Sequence, residues 1–292
     1  MGTRTGNFPI GFRRGWSDWQ KKSVADLAKW AKVNGFDALD LMNITVDDLK
    51  TLKEFGVRIG TVDLQGFGDI MHNDLGKRKD ALNKNVEMIK SLSPAGVKVF
   101  FTCVIPGDAA KPRAENYRLA VECYAPIAAA CASVGANLAI EGWPGQPPHL
   151  ANLCCTPETC RALIKDIGAG CALNYDPSHL IRLGVDHVQF LKEFLPHVKH
   201  VHGKDTALLD EALYEFGTQP SAFEKPHGFG EWNWRYTIPG HGISRWDTIF
   251  SILKTGGFDG IVSVELEDEN FNTGEEGEKA GLLHSLNYLR ST

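Results

Sequence analysis

Four stretches of the chain carry residues that could hold and use a divalent cation: "NLAIE" (137–141), "ALNYD" (172–176), "HVHGK" (200–204) and "VSVEL" (262–266). Each reads as a β-strand, in which alternate side chains share a face. In the first, Leu138 and Ile140 oppose Asn137, Ala139 and Glu141. In the second, Leu173 and Tyr175 oppose Ala172, Asn174 and Asp176. In the third, Val201 and Gly203 oppose His200, His202 and Lys204. In the fourth, Val262, Val264 and Leu266 oppose Ser263 and Glu265. The polar face of each strand thus carries a metal-ligand type at or next to its end: Glu141, Asp176, His202 and Glu265. Carboxylates that converge in a protein interior repel one another and stay ionised together only beside a cation. Three carboxylates and one imidazole suit Mn2+, Mg2+ or Co2+ better than structural zinc, and we take one Mn2+ ion as the first choice. His202 lies nearer the strand end than His200, so it is the expected ligand, with His200 one layer deeper. Lys204 and Asp205 are expected at the rim.

Four strand ends can meet only if the strands share a sheet. Strand patterns occur at 8–12, 37–42, 58–64, 97–104, 137–143, 171–176, 198–204 and 260–267. Helical patterns separate them, among them 23–35, 78–92, 115–135, 156–168, 186–195 and 244–257. Gly35, Gly135 and Gly168 close three of these helices, and Thr156 with Pro157 opens one. Alternation of this kind implies a parallel sheet. No G-x-G-x-x-G follows a strand, which argues against an open dinucleotide-binding sheet. The expected fold is α/β, a (β/α)8 TIM barrel formed by one domain, 1–292, with its active site at the C-terminal ends of the strands. Residues 206–244 break the rhythm. They include "FEKPHGFGEWNWRYTIPGHG" and are expected to form a long loop that serves as lid or substrate wall.

The 292 residues are 43% hydrophobic and 23% charged, as in ordinary globular domains. The formal net charge of −5 repels phosphate backbones, so nucleic acid is not an expected partner. The apolar runs are too short to span a bilayer, and no membrane association is expected. The N-terminal stretch lacks the apolar core of a signal peptide. Seven cysteines, none in a C-x-x-C, fit a reducing cytoplasm better than a disulfide framework. Cys154, Cys155 and Cys160 match no common zinc spacing. A homo- or hetero-oligomer is compatible with the chain, but its helix faces show no decisive stripe.

Beyond these readings, the chain resembles the xylose-isomerase-like barrel superfamily, the sugar phosphate isomerase/epimerase group. The resemblance runs over nearly the whole chain and is most specific in "LAIEGWPG", "NYDPSHL", "HVHGKD", "YTIPGHGISRWDTIFSILKTGGFDG" and "VSVELED". It implies that Glu141, Asp176, His202 and Glu265 are the four strand-end ligands. It also implies that His179 lies beside the metal and contacts substrate or metal. Ketose 3-epimerases of this group carry a Glu and an Arg where this chain has Pro147 and Leu208. The "GWPGQPP", "DPSHL" and "PGHG" segments look more like a branch that acts on 3-keto-glycosides. The repair-endonuclease relatives need histidines on strands three and four, which "TVDLQGFG" and "FFTCVIPG" lack.

The expected function is therefore metal-dependent isomerisation or epimerisation of a keto-sugar through an enediolate. The alternative is a 3-keto-glycoside lyase or deglycosidase that works by β-elimination, C-glycoside cleavage included. A third reading is a barrel subunit without catalysis, although all four ligand positions are filled. Glu141 and Glu265 are the expected acid–base pair. His179, His200, Lys204, Trp143 and His241 are the expected substrate-binding residues. Trp232, Trp234 and Tyr236 could stack on a sugar ring or aglycone.

Overall fold

The computed structural model describes residues 6–146 and 150–292; Pro147 lies outside the described residues. Ten strands occur among them: β1 (Ile10–Arg13), β2 (Ala38–Leu41), β3 (Arg58–Asp63), β4 (Val99–Cys103), β5 (Asn137–Glu141), β6 (Cys171–Tyr175), β7 (Val198–Gly203), β8 (Asp205–Leu208), β9 (Trp234–Thr237) and β10 (Val262–Val264). All except β8 and β9 close into a parallel barrel in the order β1-β10-β7-β6-β5-β4-β3-β2. The eight barrel strands are those expected from the alternation of residues. No helix among the described residues is long and apolar enough to cross a membrane.

Helices return the chain between strands: α1 (Val24–Val33), α2 (Val46–Phe55), α3 (Phe67–Ile70) with α4 (Leu75–Leu92), α5 (Arg113–Ser133), α6 (Pro157–Ile167), and α7 (Pro177–Arg182) with α8 (His187–Phe194). Next come α9 (Asp210–Phe216), α10 (Trp246–Thr255) and α11 (Glu275–Ser291). Local chemistry sets their ends. Thr156 accepts a hydrogen bond from the Thr159 N–H, and Pro157 occupies the first turn of α6. Gly35 adopts φ 86°, a left-handed conformation that lets the chain turn out of α1 into β2.

The outward residues of the strands make the core. Leu138, Ile140, Leu173, Tyr175, Val201, Val262 and Val264 are all buried and join one apolar cluster with Ile127, Leu163 and Leu253 of the helices. Phe12 packs edge-on against Trp30 and Phe36, with ring centroids 5.6 and 4.8 Å away. Such pairs each add about 0.5–1.5 kcal/mol beyond their burial. The inward residues are polar, and their parity is fixed by register: Glu141 lies beside Asn174, Asn174 beside His200, and His202 beside Ser263.

The long connection over 206–244 contains regular structure that the sequence did not signal. β8 and β9 form an antiparallel ribbon, with Asp205 opposite Thr237 and Leu208 opposite Trp234. The two strands are four residues each and α9 lies between them, so no hairpin turn signals the pairing. Asp205 is not a rim residue facing substrate. Its carboxylate accepts hydrogen bonds from the backbone N–H groups of Thr206, Gly240 and Ser244 and so ties down the ribbon's exit.

Gly60 shows how tightly the barrel interior is filled. A Cβ at this position would stand 1.9 Å from Asp40 Oδ1 and 3.2 Å from His200 Cε1. Overpacking of this kind costs about 1–3 kcal/mol. Gly60→Ala is therefore expected to lower the urea midpoint by a corresponding amount, with an unchanged m-value, in equilibrium unfolding. A neutral result would mean that Asp40 moves freely.

Candidate functional site

Glu141 is the last residue of β5 and His202 lies in β7. Asp176 directly follows β6 and Glu265 directly follows β10. Each offers one ligand-type atom, and these four atoms lie within 4.8 Å of one another. Glu141 Oε2 is 2.6 Å from His202 Nδ1, and Glu265 Oε2 is 3.4 Å from it. Yet neither His202 ring nitrogen has a hydrogen-bond partner, although the ring is wholly buried. Close atoms that do not bond to each other are what a set of lone pairs aimed at a common point produces. Asp176 repeats the pattern. Its Oδ1 accepts from the Ser178 N–H and caps α7, while buried Oδ2 has no hydrogen bond.

Six carboxylates crowd this end of the barrel: Asp40, Asp63, Glu141, Asp176, Glu265 and Glu267. Two permanent cations, Arg13 and Lys204, stand among them. Lys204 is buried, with Nζ 2.5 Å from Glu265, 3.0 Å from Glu267 and 3.3 Å from Asp176. Arg13 makes a bidentate pair with Asp63 and reaches Glu265 Oε1 at 3.2 Å. Glu265 is thus gripped by Arg13 on one oxygen and Lys204 on the other. Burial would push the Glu141 carboxyl up, but the nearby His202 ring and the contact with His179 outweigh it, so it sits well below the usual carboxylate range. Glu265 is likewise held down against burial, by Lys204, His202 and Arg13. Burial would push Lys204 down, but Asp176, Glu265 and Glu267 keep its ammonium charged.

The ribbon adds an aromatic wall. Tyr236 is buried, its hydroxyl accepts from Arg182 Nη1 at 2.7 Å, and it lies 2.7 Å from His179 Nδ1. Arg182 can only donate, so the hydroxyl proton goes to His179 Nδ1. The imidazole then carries its own proton on Nε2, which faces Glu141 Oε1 at 3.2 Å and Asp176 Oδ2 at 3.4 Å. In this tautomer His179 is a donor beside the carboxylates. Lys204 Nζ also lies 4.5 Å from the centre of the Tyr236 ring.

The other expected site residues fall in different places. His200 is almost wholly buried beneath the cluster, where Nε2 meets Asp40 Oδ2 at 2.8 Å. It therefore supports His202 from below and does not face the mouth. Trp143 is half-buried just after β5. The structure does not bring His241 to the cluster. It is exposed, and its ring lies 6.0 Å from that of Phe271, because the turn after β9 runs outward. Arg13, Asp40 and Asp63 were not anticipated. The same two-residue alternation, carried through "IGFR", "ALDL" and "TVD" of β1 to β3, would have marked them as inward strand-end charges. Among the described residues no cysteine joins a ligand cluster; Cys154 and Cys160 lie with sulfurs 3.5 Å apart in the core.

A family model described as Xylose isomerase-like TIM barrel matches residues 18–292. The chain belongs to this family. An uncharacterised protein of Bacillus subtilis, YfiH, is 30% identical over 136 residues, which are 47% of this chain and 42% of that protein. An inosose dehydratase of Bacillus thuringiensis (strain Al Hakam) is 31% identical over 98 residues, 34% of this chain and 31% of that one. The chain thus matches less than half the length of these curated relatives. Among solved structures, 3-keto-D-glucoside 4-epimerase from E. coli superimposes with a TM-score of 0.68 at 16% identity, over 97% of this chain and 99% of that one. D-psicose 3-epimerase from Clostridium cellulolyticum H10 gives 0.68 at 13% identity, over 97% and 100%. At such identities the likeness is one of fold.

This xylose isomerase-like barrel has a donor set that fits a divalent cation. The excess of carboxylates over nearby cations, and the Asp176 Oδ2 and His202 ring nitrogens that make no hydrogen bond, suit added positive charge. Asp40, 3.7 Å from His202 Nε2, stands where a carboxylate would orient a ligand imidazole. By calorimetry, His202→Ala is expected to lose Mn2+ binding, while Asp40→Asn weakens it about 10–100-fold. His200→Ala is expected to lower stability and leave Mn2+ bound. Loss of affinity in His200→Ala but not His202→Ala would shift the ligand to the deeper layer.

Proposed function

We propose that this protein is a divalent-metal-dependent enzyme that isomerises or epimerises a keto-sugar, a 3-keto-glycoside above all. The observation that carries the reading is the convergence of Glu141, Asp176, His202 and Glu265 at the C-terminal mouth of the barrel, with the His202 ring nitrogens and Asp176 Oδ2 making no hydrogen bond. Membership of the xylose isomerase-like family supports it. So does the shared fold with a protein named 3-keto-D-glucoside 4-epimerase and one named D-psicose 3-epimerase.

A cation held by these four residues supplies Lewis acidity to a sugar carbonyl and so acidifies the neighbouring C–H. Glu265 is the most open of the four, its side chain 15% exposed against 4% for Glu141 and 1% for Asp176, so it meets the incoming sugar first. Glu265 takes the proton, with Arg13 and Lys204 keeping the carboxylate ionised and fixed. Glu141, across the cluster, is oriented by Asn174, whose amide donates to Oε2 at 2.5 Å. Once protonated, it returns that proton to the other face or the other carbon, and exchange with solvent between turnovers removes the proton from Glu265 and replaces the one on Glu141. His179, with its proton on Nε2, donates to Glu141 or to a sugar oxygen. Lys204 offers a charged donor beside the oxygen that gains charge as the enediolate forms. The ribbon carrying Tyr236 walls one side of the mouth and keeps random protonation by water away from the enediolate.

A second reading, β-elimination from the same enediolate, is supported by the similarity to an inosose dehydratase. The first proton transfer is common to both, and they part where the β carbon keeps or loses its substituent.

Glu141→Gln and Glu265→Gln are expected to reduce turnover about 10²–10⁴-fold each, because the amide cannot accept the proton. Mn2+ should remain measurably bound in both. In D2O, the wild-type protein with Mn2+ and a 3-keto-glucoside should place deuterium on the carbon beside the carbonyl, read by NMR. Epimerised sugar supports the first reading, and free aglycone the second. Conversion without exchange of that hydrogen would overturn the enediolate altogether.

A further inference from the structure

A cavity of about 350 Å³ opens on the other side of the aromatic wall from the metal-type cluster. That is at the small end of the range of small-molecule sites, roughly 300–1,000 Å³. Arg182 at the end of α7 lines it, together with Trp234 at the start of β9 and Trp232 two residues before it. Glu231, Asn233 and Gln219 complete the part that matters here. Trp234 is buried with its ring 4.5 Å from the Arg182 guanidinium carbon, and Trp232 is half-buried.

The chemistry of this lining is specific. Arg182 is already committed: Nη1 donates to Tyr236 and Nη2 to the Gly145 carbonyl at 2.5 Å. It is a poor grip for a phosphate or carboxylate, and Glu231 beside it would repel either. Glu231 and Asn233 are half-buried, and neither side chain makes a hydrogen bond to the described residues; nor does that of Gln219. A purely apolar guest would cover these groups and leave them unpaired, which disfavours it. The half-buried Trp232 indole, flanked by free amide and carboxylate groups, matches a hydroxylated ring. Its C–H face packs on that indole, and its hydroxyls donate to Glu231 and exchange bonds with Asn233 and Gln219.

We propose that this cavity is a saccharide subsite that takes a neutral glycosyl unit. Its placement gives it a role, and that role rests on the keto-glycoside reading. Arg182, which lines the cavity, is linked through Tyr236 and His179 to Glu141. A sugar seated there lies against the groups that set the His179 tautomer, as the unreacted part of a larger glycoside would.

The test is binding to the full chain after removal of metal with EDTA, so that no turnover is involved. Methyl β-D-glucopyranoside and cellobiose are the saccharide probes and inorganic phosphate the contrast, followed by calorimetry and ligand-observed NMR. The saccharides are expected to bind and phosphate to fail. Trp232→Ala and Asn233→Ala should each weaken saccharide binding at least tenfold, while Mn2+ affinity, measured separately, stays at the wild-type value and certifies the fold. No saccharide binding, binding that survives both substitutions, or equal binding of phosphate would each overturn the subsite. Binding to metal-free protein without turnover of keto-sugars would leave the subsite standing and fell the reaction. Turnover without this binding would do the reverse.

Discussion

The repulsion among carboxylates at one end of the barrel is the constraint on which the rest depends. Glu141, Asp176 and Glu265 point inward from the ends of β5, β6 and β10, the first two buried and the third largely so. Isolated buried charges of this kind are costly enough that they either neutralise or acquire counter-charge. The protein supplies part of that charge itself. Lys204 is threaded between Asp176, Glu265 and Glu267, and Arg13 between Asp63 and Glu265. The balance remains negative, and the proposed cation completes it.

Below the cluster, a second layer transmits order from the barrel to the site. Asp40 receives the Thr61 N–H and meets His200, and its other contact is the far nitrogen of His202. Burial would push the Asp40 carboxyl up, but the two histidines outweigh it and keep it ionised. Gly60 leaves the room this carboxylate occupies. The ring of His202 is thereby fixed from both sides, by Asp40 beneath and by the ligand-type carboxylates above. A rigid sheet holding a polar constellation positions it more closely than a loop could.

Above the cluster, the ribbon does what the barrel strands cannot. It delivers a hydroxyl, Tyr236, to the one nitrogen of His179 that faces away from the carboxylates. Because Arg182 and Trp234 sit on the same element pair, the proton position on His179, the wall of the mouth and the outer cavity share three side chains. The ribbon is in turn tied to the barrel by Asp268, whose carboxylate accepts from the Ile238 N–H and Arg235.

The sequence alone determined the eight barrel strands and the inward parity of their residues. Both follow from a two-residue period that each strand carries within itself. From that parity came the four ligand-type residues, and the family resemblance agreed with them. Contacts that depend on barrel closure were not legible in the same way. Asp40 and His200 are 160 residues apart and touch only because β2 and β7 face each other across the barrel. The role of Lys204 as a buried counter-charge rests on Asp176, Glu265 and Glu267, which come from other strand ends and meet it only in the closed barrel. The ribbon escaped because its two short strands pair around a helix, and His241 was placed at the site because a His in a Gly-rich turn has no period to say which way it faces. Local periodicity fixed which side chains enter the barrel, and only closure of the sheet and the long-range pairing of β8 with β9 decided which of them meet.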